Sequence, residues 1–583
     1  MGILTISFSG GSALTVKTNT GNDVAAGGLT SGMVVLGIVS GSTFRILNDQ
    51  VSSAIVAAAE AAQAAAEAAA AAALAAVPNT FALTRTALKA LNTSTITAAY
   101  LREAGREGQF LWRTGDYSAQ IAADTAEGIY IKANAIAATA GAWVRNTGIS
   151  IEVNVRWFGA VGDGVTADTA AFQVAANLSK KIRVPFGRYF LTATITLQAG
   201  TYFEGDGREQ TILQRTGDYG DTLKIGSTSA GAGNFRISGF WFYKPQNYVA
   251  GTTTTITNPV GNTTAHVRVV GGQDCDICDN YYWNVPYGIV VQDTSLLRIS
   301  RNNFLGIWDT QIAGLQEGRA HIYLAAGLAH NTLITIDNNH VSGGYFSALR
   351  SKTIGTVTYS INEQIGPLLG LLVETCEGLN VFANYFGGQS QYCIAFSPIA
   401  VIAQPKIHHN FFDTGRDGTI KFLSGTNSAI YPTDVIIDAN GFNGQQAGPE
   451  AISFNFTSSI KSAVDVIIAN NVFENHLMAP VRIDGAIGVK INGNIFTAYH
   501  NRGGGTTPDF TAGVFLATTA NRVNVTGNDF GGGTNDPMGG NNCQYGVYYS
   551  AGSFGYASGN FPYGVGLGMG GGAIANVTQT YPT

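Results

Sequence analysis

The sequence predicts an all-β protein whose main part is a parallel β-helix of about 11 or 12 coils. Two observations predict this fold: a six-residue pattern that recurs at long intervals, and a capping segment upstream of it. The pattern is a branched aliphatic residue, two further residues, an asparagine, one residue, and then an aromatic residue or valine. Its copies are ICDNYY (277–282), ISRNNF (299–304), IDNNHV (336–341), VFANYF (381–386), IHHNFF (407–412), IDANGF (437–442), IANNVF (468–473), INGNIF (491–496) and VTGNDF (525–530).

The asparagines of this pattern recur at the interval expected of a solenoid. Between Asn280 and Asn528 they lie on average 31 residues apart, whereas a β-sandwich would not repeat one hexad at so long a period. The aliphatic and aromatic positions are five residues apart, so the chain must bend near the asparagine for both to face inward. Asparagine tolerates the left-handed conformation, and its amide can hydrogen-bond to asparagines of neighbouring coils. We expect one stack of buried rings, formed by Phe304, Phe386, Phe412, Phe473, Phe496 and Phe530.

The capping segment contains three motifs in sequence order. They are WFGAVGDGVTADTAAFQVA (157–175), VPFGRYFLTATITL (184–197) and FEGDGREQTIL (203–213). Apolar residues at 171, 174, 175 and 178 have helical spacing, and Thr166 is a suitable N-cap. A short amphipathic helix is therefore predicted to cover the open end of the column.

These motifs resemble the pectate-lyase-like superfamily of right-handed parallel β-helices, and in particular its phage tailspike branch. The signature of that branch runs FGAxGDGxTDDTxAxQ, then VPxGxY, then GxGxxxTxL, and only Ala167 departs from the usual first Asp of its pair. The signature is structural in that family. The resemblance therefore implies the fold and does not locate a catalytic site.

Five segments are predicted along the chain. Residues 1–50 form a small β module, 51–78 an alanine-rich helix, 79–152 a small head domain, 153–560 the β-helix, and 561–583 a glycine-rich closure. Helix propensity makes the alanine-rich segment helical, whether as a bundle of copies or as a solvated linker. Its three polar residues leave too short an apolar run to cross a membrane. The resemblance to tailspikes implies a homotrimer that attaches to a phage tail or baseplate protein through residues 1–50.

Charge and residue patterns argue against nucleic-acid binding, a metal site and a signal peptide. The net charge is −5 and the pI near 5.9, and no basic stripe extends beyond Lys180, Lys181 and Arg183, which argues against nucleic acid. Cys275 and Cys278 form a CxxC motif, but no second pair follows at metal spacing, so we expect buried core thiols. No metal site and no cofactor are expected. The start of the chain shows no signal peptide.

The resemblance also implies a function on the virion, at the host cell surface. Phage tailspikes of this kind bind, and often cleave, a bacterial surface polysaccharide. Three alternatives stay open: an endo-glycosidase with two carboxylates, a polysaccharide lyase that eliminates across a uronic acid, and a spike that binds without cleaving. The endo-glycosidase is the predicted function.

The repeat suggests which carboxylates would form the catalytic pair. Asp413 and Glu474 each lie three residues after a repeat asparagine, in coils two apart, with Asn443 at the same offset between them. Two coils at about 4.8 Å each place the carboxyl groups about 9.6 Å apart, near the upper end of the range for inverting glycosidases. Asp417 and Glu374 are the predicted substitutes.

Other candidate residues are less constrained by the repeat. If their strand is regular, alternation puts Glu374 and Glu377 on opposite faces, so at most one of them is expected to join a groove. Asp274, Asp434 and Asp465 lie six residues before an asparagine and are interpreted as polar groups at strand starts. Five aromatic or cationic side chains are expected to bind sugar rings or, alternatively, to pack one subunit against another. They are Trp308, Tyr345, Arg350, Tyr359 and Tyr392.

Overall fold

The computed structural model describes most of the 583-residue chain. The residues outside the description are 1–2, 30, 48–52, 77–79, 149–151, 216–219, 228–230, 244–263, 284–286, 306–319, 344–346, 353–354, 367–368, 390, 399–400, 416, 424–430, 445–449, 455–462, 477, 498–511, 532–544, 551–553, 564–568 and 571–583. The chain divides into two compact units, one comprising Met1–Ala82 and Ser94–Tyr100 and the other Leu83–Thr93 and Leu101–Thr583. The domain boundaries given above stay predictions.

The first unit contains a small sheet and one long helix. The strands of this sheet are Thr5–Ile6, Leu14–Lys17, Gly37–Ser40 and Thr43–Ile46. Two further strands are Phe81–Ala82 and Ala98–Leu101. Leu101, the last residue of the second of these, belongs to the second unit. Val16, Phe44 and Ile46 form the small core of the sheet. The alanine-rich segment is helical over Ser53–Ala76, as predicted. Within the described residues, no helix combines the length and hydropathy needed to cross a bilayer.

The second unit begins with short elements that precede the β-helix. They are the helices Arg85–Lys89 and Ser118–Ala123, the 3₁₀ turn Val155–Phe158, and the strands Gly108–Thr114, Tyr130–Ile131 and Gly141–Arg145. The predicted capping helix is present over Thr169–Leu178, but its N-cap is Asp168 and not Thr166. The prediction of its start was wrong because residues Asp163–Ala167 pair as a strand with the strand Gly187–Leu191.

The β-helix winds around three faces, and on each face the strands pair in parallel. The first-face strands are Glu152–Asn154, Lys181–Val184, Tyr202–Gly205, Arg236–Ser238, Gln273–Cys278, Ser295–Ser300, Ile334–Asp337, Val357–Ser360, Leu379–Phe382, Ile402–Ala403, Lys406–His408, Thr433–Asp438, Ala463–Ala469, Ala486–Asn492, Asn521–Thr526 and Phe554–Ser558. The second-face strands are Asp163–Ala167, Gly187–Leu191, Thr211–Arg215, Trp241–Tyr243, Tyr281–Trp283, Asn303–Leu305, His340–Ser342, Glu363–Ile365, Tyr385–Gln389, Phe411–Gly415, Gly441–Asn443, Val472–Glu474, Ile495–Thr497, Asp529–Gly531 and Phe561–Tyr563. The third-face strands are Ile195–Leu197, Leu223–Ile225, Ala265–Val270, Tyr287–Gln292, Ala320–Leu324, Ser347–Lys352, Leu369–Glu377, Tyr392–Phe396, Gly418–Phe422, Ile452–Phe454, Val481–Ile483, Ala512–Leu516, Tyr545–Tyr549 and Met569–Gly570.

The parallel β-helix confirms the predicted fold class, with more coils than expected. The second face has 15 strands among the described residues, against the predicted 11 or 12 coils. One overlooked coil contains Asn362, whose hexad begins with Tyr359 and ends with Gln364, and another contains Asn560. These hexads depart from the aliphatic and aromatic pattern, so the pattern alone did not reveal them.

The repeat asparagines form a continuous hydrogen-bonded ladder, as predicted. The side chain of Asn440 is typical: its Nδ2 donates to Oδ1 of Asn471 at 3.0 Å and to the carbonyl of Ile407 at 2.9 Å. Its Oδ1 accepts from the backbone N–H and from Nδ2 of Asn410, both at 3.0 Å. The ladder satisfies buried backbone groups at the corner between the first and second faces. Its members are Asn280, Asn302, Asn339, Asn362, Asn384, Asn410, Asn440, Asn471, Asn494, Asn528 and Asn560.

The bend at this corner falls one residue earlier than we expected. The residue before the asparagine has the positive φ, for example 59° at Asp279 and 55° at His409. The asparagine itself points inward to join the ladder, so its neighbour takes the left-handed conformation at the corner. A second left-handed position lies six residues before the asparagine, with φ of 57° at Asp274, 55° at Asp434 and 56° at Asp465. Aspartate suits this position because it tolerates positive φ.

The core confirms the predicted stack of rings. Each of the six predicted phenylalanines is at most 1% exposed, and neighbouring rings from Phe386 to Phe530 have centroids 4.7–4.9 Å apart. Val341 and Gln364 interrupt the stack between Phe304 and Phe386. Cys275 and Cys278 are buried free thiols, as predicted, and burial raises the pKa of both.

Candidate functional site

The outer side of the second face presents two columns of side chains. Most strands here have three residues, of which the middle one is buried and the outer two point away from the core. The column that follows the asparagines contains Trp241, Tyr281, Asn303, His340, Glu363, Tyr385, Phe411, Gly441 and Val472. The column that follows the buried ring contains Tyr243, Trp283, Leu305, Ser342, Ile365, Gly387, Asp413, Asn443, Glu474 and Thr497.

The structure places Asp413 and Glu474 in one column, two strands apart. Asp413 pairs with Asn443 and Asn443 pairs with Glu474, which is the register that the repeat offsets predict. The Nδ2 of Asn443 donates to Oδ1 of Asp413 at 3.3 Å, and the Nδ2 of Asn475 donates to Oδ1 of Asn443 at 3.3 Å. Glu474 is exposed and Asp413 is half-buried. The amides of Asn475 and Asn443 therefore form a hydrogen-bonded chain that ends on Asp413, and the catalytic role of both carboxylates stays a prediction.

Tyr385 is a second hydrogen-bond donor to Asp413. Its hydroxyl lies 3.2 Å from Oδ2 of Asp413, so each oxygen of the carboxylate accepts a hydrogen bond. Burial, and then the charge of Asp413, raise the pKa of Tyr385. The ring of Tyr385 stacks on Phe411, with centroids 6.0 Å apart, and Phe411 is 47% exposed. An aromatic surface thus lies beside the candidate carboxylate.

Two further titratable groups occupy the same wall. Nδ1 of His340 lies 2.8 Å from Oε2 of Glu363, and both side chains are substantially exposed. Glu363 pairs along the column with Tyr385, so this pair lies one strand away from Tyr385. His340 was not among the predicted site residues.

Asp417 and Tyr392 lie close to the column but not in it. Asp417 is a half-buried turn residue whose backbone N–H donates to the carbonyl of Gln391 at 3.0 Å. Tyr392 is half-buried on the third face, and its pKa is raised by burial and then by the charges of Asp417 and Glu450. Both therefore border the connection between the second and third faces.

The predictions for Glu374 and Arg350 are corrected by an ion pair. Nε and Nη2 of Arg350 donate to the two oxygens of Glu374 at 2.6 and 3.0 Å, and Nζ of Lys352 lies 3.3 Å from Oε1. Arg350 is 5% exposed and Glu374 7% exposed. The two side chains are thus paired with each other and almost closed to solvent, and removing either one would leave a buried charge. Glu377 is exposed where its strand joins the first face, whereas Glu374 is buried on the third-face part of the same strand.

The prediction that Tyr359 contacts a ligand is wrong. Its side chain is 1% exposed, points into the core from the first face, and its hydroxyl accepts a hydrogen bond from Nε2 of Gln364. Burial raises its pKa. Trp308 and Tyr345 lie outside the described residues.

Four aromatic side chains on the second face were not among the predicted binding residues. Trp241, Tyr243, Tyr281 and Trp283 flank the buried rings of two neighbouring strands and point outward. We call them the aromatic quartet. Their outward direction could have been predicted from the hexad. Its last residue faces inward, so the residues on either side of it must face outward on a strand. Within the described residues, no three His, Cys, Asp or Glu side chains come together in the manner of a metal site.

Comparison with protein families confirms part of the resemblance. A family model described as rhamnogalacturonase A/epimerase, pectate lyase-like, matches residues 152–360. The match confirms the pectate-lyase-like resemblance over those residues, which include the aromatic quartet but neither Asp413 nor Glu474. None of the curated proteins matches the chain significantly.

Several solved structures resemble the chain at low identity. The surface adhesin PfbA of Streptococcus pneumoniae is 15% identical, with a TM-score of 0.46 and coverage of 70% of this chain and 91% of the adhesin. The A-module of the mannuronan C-5 epimerase AlgE6 of Azotobacter vinelandii is 15% identical, with a TM-score of 0.36 and coverage of 74% and 100%. The Dettilon tailspike protein is 13% identical, with a TM-score of 0.36 and coverage of 72% and 68%. The role of each residue therefore rests on the geometry of this chain.

Proposed function

We propose that this chain is a phage tailspike that binds a bacterial surface polysaccharide along the second face and hydrolyses it. The observation that carries the proposal is the register of Asp413, Asn443 and Glu474, which sets two carboxylates two strands apart on an outward wall. The pectate-lyase-like match of residues 152–360 and the tailspike signature in the sequence support the polysaccharide as substrate class.

The spacing of the carboxylates favours an inverting mechanism. Strands about 4.8 Å apart place positions two strands apart at about 9.6 Å, and inverting enzymes need about 6.5–9.5 Å to admit a water molecule. The longer side chain of Glu474 can shorten this distance.

In the proposed mechanism the two carboxylates have separate roles. Asp413, which two donors orient, takes a proton from the water whose oxygen attacks the anomeric carbon. Glu474, in its protonated form, gives a proton to the glycosidic oxygen as the bond to the leaving sugar breaks.

Product analysis tests this proposal against its alternatives. The full chain would be incubated with polygalacturonan, rhamnogalacturonan and purified bacterial capsule and O-chain polysaccharides, followed by sizing, a reducing-end assay and an ultraviolet scan. Hydrolysis shortens the chains and creates reducing ends without new absorbance. A lyase would add an ultraviolet-absorbing double bond, and a spike that only binds would leave chain length unchanged. Either of these results would refute the hydrolase.

We also propose that the protein is a homotrimer attached to a phage tail through residues 1–50. In the first unit, several large apolar side chains are exposed, which is typical of a surface that binds another protein. They include Ile3, Leu4, Phe8, Val34, Leu36, Ile38 and Val39. Light scattering should give about three times the chain mass of 61.0 kDa. A stable monomer would refute the trimer.

A further inference from the structure

The aromatic quartet concentrates ring surface on the outside of the β-helix. Trp241 and Tyr243 flank the buried Phe242, and Tyr281 and Trp283 flank the buried Tyr282 on the next strand. The rings of Phe242 and Tyr282 point into the core, whereas the four rings of the quartet lie outside it. All four outer side chains are half-buried, so part of each remains open to solvent.

The four rings hold one another in a defined arrangement. The indole planes of Trp241 and Trp283 are within 17° of parallel, with centroids 5.8 Å apart. Tyr281 meets Trp241 edge-on at 5.3 Å, and Tyr243 lies 5.3 Å from Trp283 at a tilt of 56°. Such aromatic contacts stabilise the cluster and preorganise it for a ligand.

Planar polar groups border the rings. The guanidinium carbon of Arg188 lies 5.0 Å from the centre of the Tyr243 ring, and its Nε donates to Oε1 of Gln214. Nη1 of Arg208 donates to Oδ1 of Asn303 at 3.3 Å, next to Tyr281 in the same column. Guanidinium groups and amides fixed in this way offer donors and acceptors to hydroxyl or carboxylate groups.

We propose that the aromatic quartet is a saccharide-binding subsite, separate from the candidate catalytic pair, on which pyranose rings of the polysaccharide stack. A pyranose presents C–H groups on its faces and hydroxyl groups at its rim, which matches aromatic faces surrounded by polar side chains. This inference rests on the proposed function, because it assigns a second contact to the same polymer.

The position of the quartet fits a long, linear ligand. Trp283 and Asp413 belong to one column and are five strands apart, about 24 Å at roughly 4.8 Å per strand. A polymer lying along this column would span several sugar units between the two sites. The subsite would hold the chain while Asp413 and Glu474 act further along it.

Chemical footprinting on the unmodified protein tests the subsite. N-bromosuccinimide oxidises accessible indoles, and peptide mass spectrometry reads each of the six tryptophans of the chain separately. With the same polysaccharides used for product analysis, Trp241 and Trp283 should become at least about tenfold less reactive. Trp112, half-buried outside the β-helix, is the internal reference and should not change.

Variants provide an independent measurement of the same contact. Affinity electrophoresis should show binding weakened at least about tenfold by Trp283→Ala and less by Trp283→Phe, which keeps a ring in place. Tyr202→Ala is the matched control, since Tyr202 is an exposed aromatic residue on the first face. Its binding should equal that of the native chain.

The outcomes separate this inference from the proposed function. If a polysaccharide is cleaved but both indoles react as they do without it, the subsite is refuted and the hydrolase stands. If both indoles are protected and nothing is cleaved, the subsite stands and the hydrolase is refuted. If none of the polysaccharides is bound or cleaved, both are refuted.

Discussion

The hydroxyl of Tyr385 donates a hydrogen bond to Oδ2 of Asp413, and the two side chains come from neighbouring strands of the second face. Asn443, on the opposite neighbouring strand, donates to Oδ1. The carboxylate of Asp413 is thus oriented from both sides along the axis of the column. A group that must position a water molecule benefits from this restraint.

Replacing Tyr385 by Phe should slow depolymerisation by about tenfold, because one oriented hydrogen bond is lost and the ring remains. Reducing-end release at saturating polysaccharide measures the effect. Tyr202→Phe is the control, since Tyr202 lies exposed on the first face. Equal rates for the two variants would contradict a positioning role for Tyr385.

Asp413→Asn and Glu474→Gln should each lower the rate at least about 100-fold, the lower end of what positioned acid and base groups contribute. Sugar binding and folding should be kept, since both changes preserve side-chain size. Asp529→Asn is the matched control, an exposed acid on the same face beyond Glu474. Near-native rates for both test variants would remove this pair from the mechanism.

Much of the fold follows from one hexad because burial fixes its register. Ile407 and Phe412 must both face inward, so the corner between them, the Asn410 ladder position and the ring stack are all constrained together. The pattern did not predict the coils with Asn362 and Asn560, because only the asparagine of each hexad matches it. Asparagine alone would have been the better marker, since the ladder depends on it in every one of these coils.

The candidate site was less predictable than the fold, because its contacts join residues that are far apart in the sequence. The Asp413 and Glu474 register could be predicted from equal offsets, but the donor Tyr385 could be placed beside Asp413 only once the strands were paired. The Arg350 and Glu374 pair forms across two coils and is buried, which no local pattern reveals. The aromatic quartet lies within the strands Trp241–Tyr243 and Tyr281–Trp283.

The asparagine ladder should be a main contributor to stability. Asn440→Ala removes the acceptor for two donors of Asn410 and the donor to Ile407 and Asn471. Buried groups left without partners cost about 1–3 kcal/mol each, so the free energy of unfolding should fall by about 3 kcal/mol or more. Denaturant unfolding measures this. Asn524→Ala, on the exposed side of the first face, is the control, and an equal effect there would contradict the ladder's role.

The last prediction concerns acid stability and His476. This side chain is 1% exposed beside Phe473, and burial lowers its pKa from 6.5 to about 4, with no charged group contributing. His321 is buried in the same way, with a pKa lowered to about 4. In the unfolded chain both imidazoles should titrate near pH 6.5.

The sign of the effect follows from proton binding. Well above pH 6.5 both states hold a neutral imidazole, so His476 adds nothing to the pH dependence of the free energy of unfolding. Between about pH 6.5 and pH 4 the unfolded chain binds a proton that the folded chain does not, so the free energy of unfolding falls as the pH falls. The loss at pH 4 should be on the order of 3 kcal/mol for His476.

Unfolding measured at pH 7 and at pH 4.5 tests this in native protein and in His476→Leu. The variant should lose less stability on acidification than the native chain, because it lacks one imidazole that must be kept neutral. His330→Leu is the matched control, since His330 is exposed, and it should follow the native chain. Comparing the three proteins cancels the titration of carboxylates, which is common to all of them. If native protein and His476→Leu lose the same stability between these two pH values, the buried imidazole does not set the acid sensitivity of the β-helix.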